Sequence, residues 1–268
     1  MFSFVKQRWH ADGGYGSLLR VGLPLVLSNV ALTAQLFLDS MFLSWYDPSG
    51  RHLSAVVPAS ILNFTILSFF LGTTHFASTF VAQYLGAGRL ARIGEVMWQG
   101  VYFGVAAGGL LLVLAFHARS VLGTMPEPDD ARIFELQVVY FGTIFFAAPA
   151  ALVREAFMSF FSGRGNTRVM LAIAIVGFAI NATLNWCLIF GNLGFPELGM
   201  RGAALATVCA IVGTTIVYAV LVFRRPFRET FGTLRGWRFR WPLFARLIRY
   251  GVPNACTSFW TSWASRSS

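Results

Sequence analysis

Arg20-Val21-Gly22-Leu23-Pro24 near the start of the chain returns as Arg249-Tyr250-Gly251-Val252-Pro253 near its end. Six apolar stretches lie between the two copies, at about 19–46, 53–85, 96–122, 134–161, 169–190 and 202–223. A repeat on this scale bears on the whole architecture before any local pattern is weighed. The second copy reads as the opening of a second bundle of helices. Many membrane transporters are built from duplicated bundles, with the working site formed by or between them.

Hydrophobic residues make up 56% of the 268 positions and charged residues 12%. Mean hydropathy is +0.63. A water-soluble domain carries about 25% charged residues, so this composition is that of an integral membrane protein. A helix needs about 20 residues to cross a ~30 Å hydrocarbon core, and the longer stretches leave room for tilt or a projecting end. Backbone amides in lipid need internal partners, which leaves helices or a closed barrel. The apolar runs are continuous rather than alternating, which selects helices. The expected fold is an all-α membrane protein, a bundle of six transmembrane helices.

Charge sorts the loops into two sets. One side holds Lys6, Arg8, Arg20, Arg89, Arg92, Arg164, Arg168 and the run from Arg224 to Arg249. The other holds Arg51, Arg119, Arg132 and Arg201, diluted by Asp47, Glu127, Asp129, Asp130 and Glu197. The positive-inside rule places the first side, with the N-terminus, in the cytoplasm. The expected organisation is an N-terminal cytoplasmic segment over 1–18, a six-helix lobe over 19–223, a basic cytoplasmic connector over 224–251 and the start of a second lobe over 252–268. The first 18 residues contain no apolar run of the signal-peptide kind. The net charge of +10 follows this topology, so membrane lipid rather than nucleic acid is the expected partner of the connector, with its Trp237 and Trp241.

Asp39 lies deep in the first span without a cationic neighbour. A carboxylate inside a bilayer is costly and is a functional candidate by default. The bland reading places it near enough to the outer surface to be wet. Pro24 stands 15 residues earlier and either kinks that helix or begins it. Asn181 and Asn185 share a face of span five, and Thr207 adds a polar point in span six. Asn29, Gln35 and Asn63 are further polar points, and helix glue and site remain open for all of them. Arg154 and Glu155 read as an ion pair or, preferably, as side chains snorkelling to the interface. Gly104 and Gly108 are spaced for close helix packing. His10, His52, His75 and His117 are scattered, and Cys187, Cys209 and Cys256 stand alone, so neither a metal site nor a disulfide is expected. No catalytic constellation is present in the sequence, so no enzyme activity and no cofactor are expected.

Several stretches are more specific than their composition. They are Asn181-Ala-Thr-Leu-Asn185, Gly194-Phe-Pro-Glu-Leu-Gly199, Gly202-Ala-Ala-Leu-Ala-Thr207, Val81-Ala-Gln-Tyr-Leu-Gly-Ala-Gly88 and Ser162-Gly-Arg-Gly-Asn-Thr167. Through them the chain resembles the multidrug and toxic compound extrusion (MATE) family, NorM-like or DinF-like, from about Arg20 to Pro253. The resemblance implies one lobe of a twelve-helix transporter that exports cationic or amphiphilic compounds in exchange for H⁺ or Na⁺ across the inner (plasma) membrane. It implies that Asp39 is the ion-coupling acid, Pro24 the helix-bend proline, and Asn181, Asn185 and Thr207 the polar pocket, with Asn181 the partner of Asp39. Asn185 stands where some relatives carry a second aspartate.

Trp260-Thr-Ser-Trp-Ala-Ser-Arg-Ser-Ser268 does not read as a helix. The expectation is an aborted seventh helix, a missing second lobe and a frameshifted end that leaves the chain alone inactive. Two competing readings are a lipid-linked sugar flippase of the same superfamily and a non-transporting membrane fragment.

Overall fold

The computed structural model describes residues 15–124 and 130–267, with side chains for 19–124 and 130–256. Most of the N-terminal segment, and Glu127 and Asp129 of the second loop set, lie outside the described residues. In chain order the helices are α1 (Tyr15–Tyr46), α2 (Arg51–His75), α3 (Ala77–Gly86), α4 (Ala91–Phe116), α5 (Ala118–Leu122), α6 (Ala131–Phe145), α7 (Ala148–Ser162), α8 (Thr167–Phe190), α9 (Met200–Val222), α10 (Arg225–Phe231) and α11 (Trp241–Ser267). No strand occurs among the described residues.

Five helical runs are long and apolar enough to cross a membrane, and α6 with α7 makes a sixth. The second run, Arg51–Gly86, joins α2 to α3 across Phe76. The fourth expected span is bent by 44° where α6 meets α7. Pro149 explains the break, because it has no N–H to donate and its ring crowds the carbonyl four residues earlier.

The bend is packed by glycine. α4 crosses α7 through Gly104 and Gly108, as their spacing suggested. A Cβ at Gly104 would lie 3.0 Å from the Leu152 carbonyl carbon, and one at Gly108 would run into Pro149. Two apolar cores result. Phe141, Phe145, Leu111 and Ile189 pack toward the end that carries Asp47. Phe160, Phe161, Met97 and Ile93 pack toward the arginine-rich end.

The connector is tied to the lobe. The Trp98 indole donates to the Thr233 carbonyl at 2.6 Å, and Arg240 pairs with Glu95 at 2.9 Å. Arg164 lies 4.4 Å from the ring centres of both Phe160 and Phe231 and 4.7 Å from that of Phe227. Trp237 and Trp241 remain exposed.

Two expectations are corrected. Residues 260–267 are helical, in α11, which already begins at Trp241 within the basic stretch. No glycine or proline follows Pro253, so nothing in the backbone stops a started helix, and Ser, Thr and Trp lower its propensity only slightly. Glu155 does not snorkel. It is 7% exposed and bonded to His75. It stands eight residues before Gly163, about 12 Å of helix, beyond the reach of a side chain with two methylenes.

Gly108→Val should lower stability by about 1–3 kcal/mol, the cost of overpacking a close crossing. Gly109→Val should change little, since no atom lies within 4 Å of its Cβ position. Thermal unfolding of the two variants in detergent checks the contrast.

Candidate functional site

Asp39 is carried by α1 into contact with α8, where it is 8% exposed. Its helix offers it no partner, because backbone N–H groups there are used along the helix. The donor comes from α8. Asn185 Nδ2 donates to Asp39 Oδ1 at 2.5 Å and to Asn181 Oδ1 at 3.1 Å. Asn181 Nδ2 donates to Thr207 Oγ1 on α9 at 3.3 Å, and the Thr207 hydroxyl donates to the Ala203 carbonyl at 3.1 Å. One polar chain thus crosses three helices. Asn181 and Asn185 are 1% and 0% exposed, so water does not substitute for these bonds at the surface.

The four polar residues singled out in the sequence meet here. Asn185 makes the short bond to Asp39, and Asn181, the partner expected from the sequence, also lies within hydrogen-bonding reach of that carboxylate. One helical turn separates the two amides, so both lie on the face of α8 that meets α1. Pro24 lies inside α1, nine residues from its first residue, so it does not begin the helix. The Ser28 hydroxyl donates to the Pro24 carbonyl at 2.7 Å. Asn29 is exposed and Gln35 partly so, and neither joins the chain.

Tyr140 and Ser60 escaped the sequence reading. Tyr140, on α6, is 6% exposed and lies within electrostatic reach of Asp39. The Ser60 hydroxyl, on α2, donates to its phenol at 3.3 Å. Ser60 stands three residues before Asn63, which shares its helical face and was legible as a polar point. Among the described residues, Asn185 Oδ1 and Asn63 Nδ2 are buried without a hydrogen-bond partner. The Asp39 site therefore retains an acceptor, on Asn185, beyond those its own bonds use.

A cavity of about 660 Å³ opens at the Asp47 end. Tyr46, His52, Arg132, Glu135, Val139 and Arg201 are among its walls. Hydrogen bonds from Ser49 and His52 hold the Asp47 carboxyl well below the usual carboxylate range. His52 Nδ1 lies 2.7 Å from Asp47 Oδ2. Among the described residues no three His, Cys, Asp or Glu side chains gather as metal ligands.

The sequence profile of the MatE family matches residues 24–187, which include Asp39, Asn181 and Asn185. The chain belongs to the MatE family. It is 26% identical over 244 residues to a probable multidrug resistance protein NorM of Neisseria meningitidis, with 90% of this chain and 52% of that protein covered. The NorM multidrug resistance protein of Aliivibrio fischeri is 26% identical over 245 residues, with the same coverage of 90% and 52%. The chain thus spans about half the length of these MatE relatives. Its fold is that of a MOP superfamily transporter from Pyrococcus furiosus, with a TM-score of 0.80 at 21% identity, over 93% of this chain and 54% of that one. An outward-facing multidrug resistance MATE transporter matches with the same TM-score of 0.80 at 20% identity, over 93% and 54% of the two chains.

Asn185→Leu removes the donor and leaves a buried acceptor unpaired, at a cost of about 1–3 kcal/mol. In a double-mutant cycle with Asp39→Asn, the two sites should couple by about 1 kcal/mol or more. Unfolding midpoints of the four proteins measure this.

Proposed function

We propose that this chain is the ion-coupling lobe of a secondary antiporter that exports cationic or amphiphilic compounds in exchange for H⁺ or Na⁺. The observation that carries the reading is the Asp39–Asn185–Asn181–Thr207 chain. It is a carboxylate in an apolar span, held by amides rather than by a cationic side chain. A carboxylate in that setting can trade its hydrogen bond for a proton or a small cation. A proton neutralises the group directly. Na⁺ would be met by oxygen donors, and Asn185 Oδ1 is an unused one.

Exchange at Asp39 alters the hydrogen bonding that joins the middle of α1 to α8. Pro24 lies in the same helix and deprives the Arg20 carbonyl of its usual donor, which weakens α1 against bending at that turn. Filling and emptying the carboxylate then biases α1 between two packings, and a ligand shifts such an equilibrium by its difference in affinity for them. The names of the relatives, multidrug resistance proteins, support drug export. Alternating access needs a second wall, so the transport reading is one of this lobe working beside another.

The same reading sets the orientation. The arginine-rich ends at Arg89, Arg164 and the connector face the cytoplasm of a plasma-membrane protein, together with the N-terminus. The cavity at the Asp47 end then opens outward.

In a two-lobe transporter carrying this lobe, Asp39→Asn should abolish efflux of a fluorescent cation under an imposed pH or Na⁺ gradient while membrane insertion stays normal. Efflux at the parent rate sinks the assignment. Reporter fusions at Gly16 and Gly236 should report the cytoplasm and one at Glu127 the opposite face; any other pattern breaks the proposed orientation.

A further inference from the structure

Asp39 is not the only buried acid of the lobe. Glu155, on α7, has 9% of its side chain exposed and plays no part in the Asp39 chain. Its Oε1 lies 2.7 Å from Nδ1 of His75, the last residue of α2. The pair is asymmetric. The carboxylate is covered, while half of the imidazole side chain is open.

The surroundings fix the helices that carry the pair. Ser159, one turn along α7, donates to the Glu155 carbonyl at 2.9 Å and to the Thr74 carbonyl at 3.4 Å, which locks α7 to the end of α2. A Cβ at Gly72 would lie 3.1 Å from the Ala255 Cβ of α11, and Phe76 stacks on Tyr250 with 6.5 Å between centroids. Tyr218 of α9 lies within electrostatic reach of both Arg154 and Glu155. Among the described residues no ion pair joins Arg154 to Glu155, and His75 is the partner of Glu155, cationic when its ring is protonated.

A covered charge needs a partner, because leaving it alone is costly, and the partner of Glu155 is the member that solvent reaches. Here an arriving cation meets the imidazole first and can take its place without unpacking a helix. The approach suits an apolar cation. Phe64 and Ile61 are exposed on α2. Phe64 precedes His75 by eleven residues, about three turns, and so shares its face.

We propose that Glu155 is a recognition site for lipophilic organic cations, and that His75 is its displaceable counter-ion. The site lies toward the arginine-rich end, opposite the cavity near Asp47. It rests on the reading that the lobe handles cations, and it adds to that reading where the exported cation binds and what it displaces.

The test uses the purified 268-residue chain in lipid nanodiscs and tetraphenylphosphonium as probe, by equilibrium dialysis. The wild type should bind saturably. Glu155→Gln should weaken binding about tenfold or more, as expected when one member of a buried charge pair is removed. His75→Gln should tighten it severalfold and flatten its pH dependence between about 5.5 and 7.5, where imidazole gains its charge. Glu229→Gln, which alters an exposed acid on α10 paired with Arg225, should leave the binding unchanged. Tighter binding by His75→Gln is a result that misfolding does not produce. The proposal is overturned if the wild type shows no saturable binding, if Glu155→Gln binds as the wild type does, if His75→Gln weakens binding as Glu155→Gln does, or if Glu229→Gln weakens it as much as Glu155→Gln. Failure here leaves the Asp39 coupling assay standing, and failure of that assay leaves this binding result standing.

Discussion

A carboxylate inside an apolar helix must be met by a donor from another element, and the lobe is arranged around that requirement. Asp39 is met by Asn185. α1 otherwise presents much of its surface outward, with Leu23, Val26, Val30, Leu36 and Phe37 all exposed. Such side chains do not choose a register, since sliding one apolar residue past another changes little. The Asp39–Asn185 bond does, because a slip of one turn is about 5.4 Å and leaves a buried carboxylate without a partner. Leu43, 1% exposed on the same helix, packs into the core one turn further on. The functional candidate and the structural anchor of α1 are thus the same group, so a change in its charge acts on the position of a whole helix.

The second carboxylate is solved differently. Glu155 takes a titratable cation where Asp39 takes an amide, and the two lie toward opposite ends of the lobe. The two apolar cores keep them apart, one around Phe141 and Phe145 and the other around Phe160 and Phe161. Close packing between α4 and α7 makes the separation rigid. Gly104 and Gly108 let the bent α6–α7 span approach the neighbouring backbone directly, without intervening side chains that could repack. At the arginine-rich end the aromatic surround of Arg164 and the Trp98–Thr233 bond bind the connector to the same body, although the sequence presents that stretch as a basic tether.

Much of the site was legible because it breaks the rule of its surroundings. In a chain that is 56% hydrophobic, Asp39, Asn181, Asn185 and Thr207 stand out, and helical periodicity alone puts the two asparagines on one face. Tyr140 was hidden by its own chemistry, since a tyrosine is unremarked among apolar residues until its hydroxyl has a neighbour. His75 and Glu155 are 80 residues apart, and nothing local to either names the other. Arg154, adjacent in sequence, was the natural partner to read. Consecutive residues of a helix point about 100° apart, however, and do not face each other. The continuation of α11 was missed for the opposite reason: composition argued for an end, while the backbone supplied no stop.

Sequence alone determined that this protein spans a membrane as helices, where those helices lie, which loops share a side and which family the motifs resemble. These follow from one-dimensional quantities: the length of apolar runs, the alternation of arginines, the order of residues. Only the tertiary structure decided which amide meets Asp39, that Glu155 belongs to His75, and that the fourth span bends against a pair of glycines. Hydrogen-bond length, burial and close approach depend on distances between helices, and those distances are set by the packing of side chains far apart along the chain.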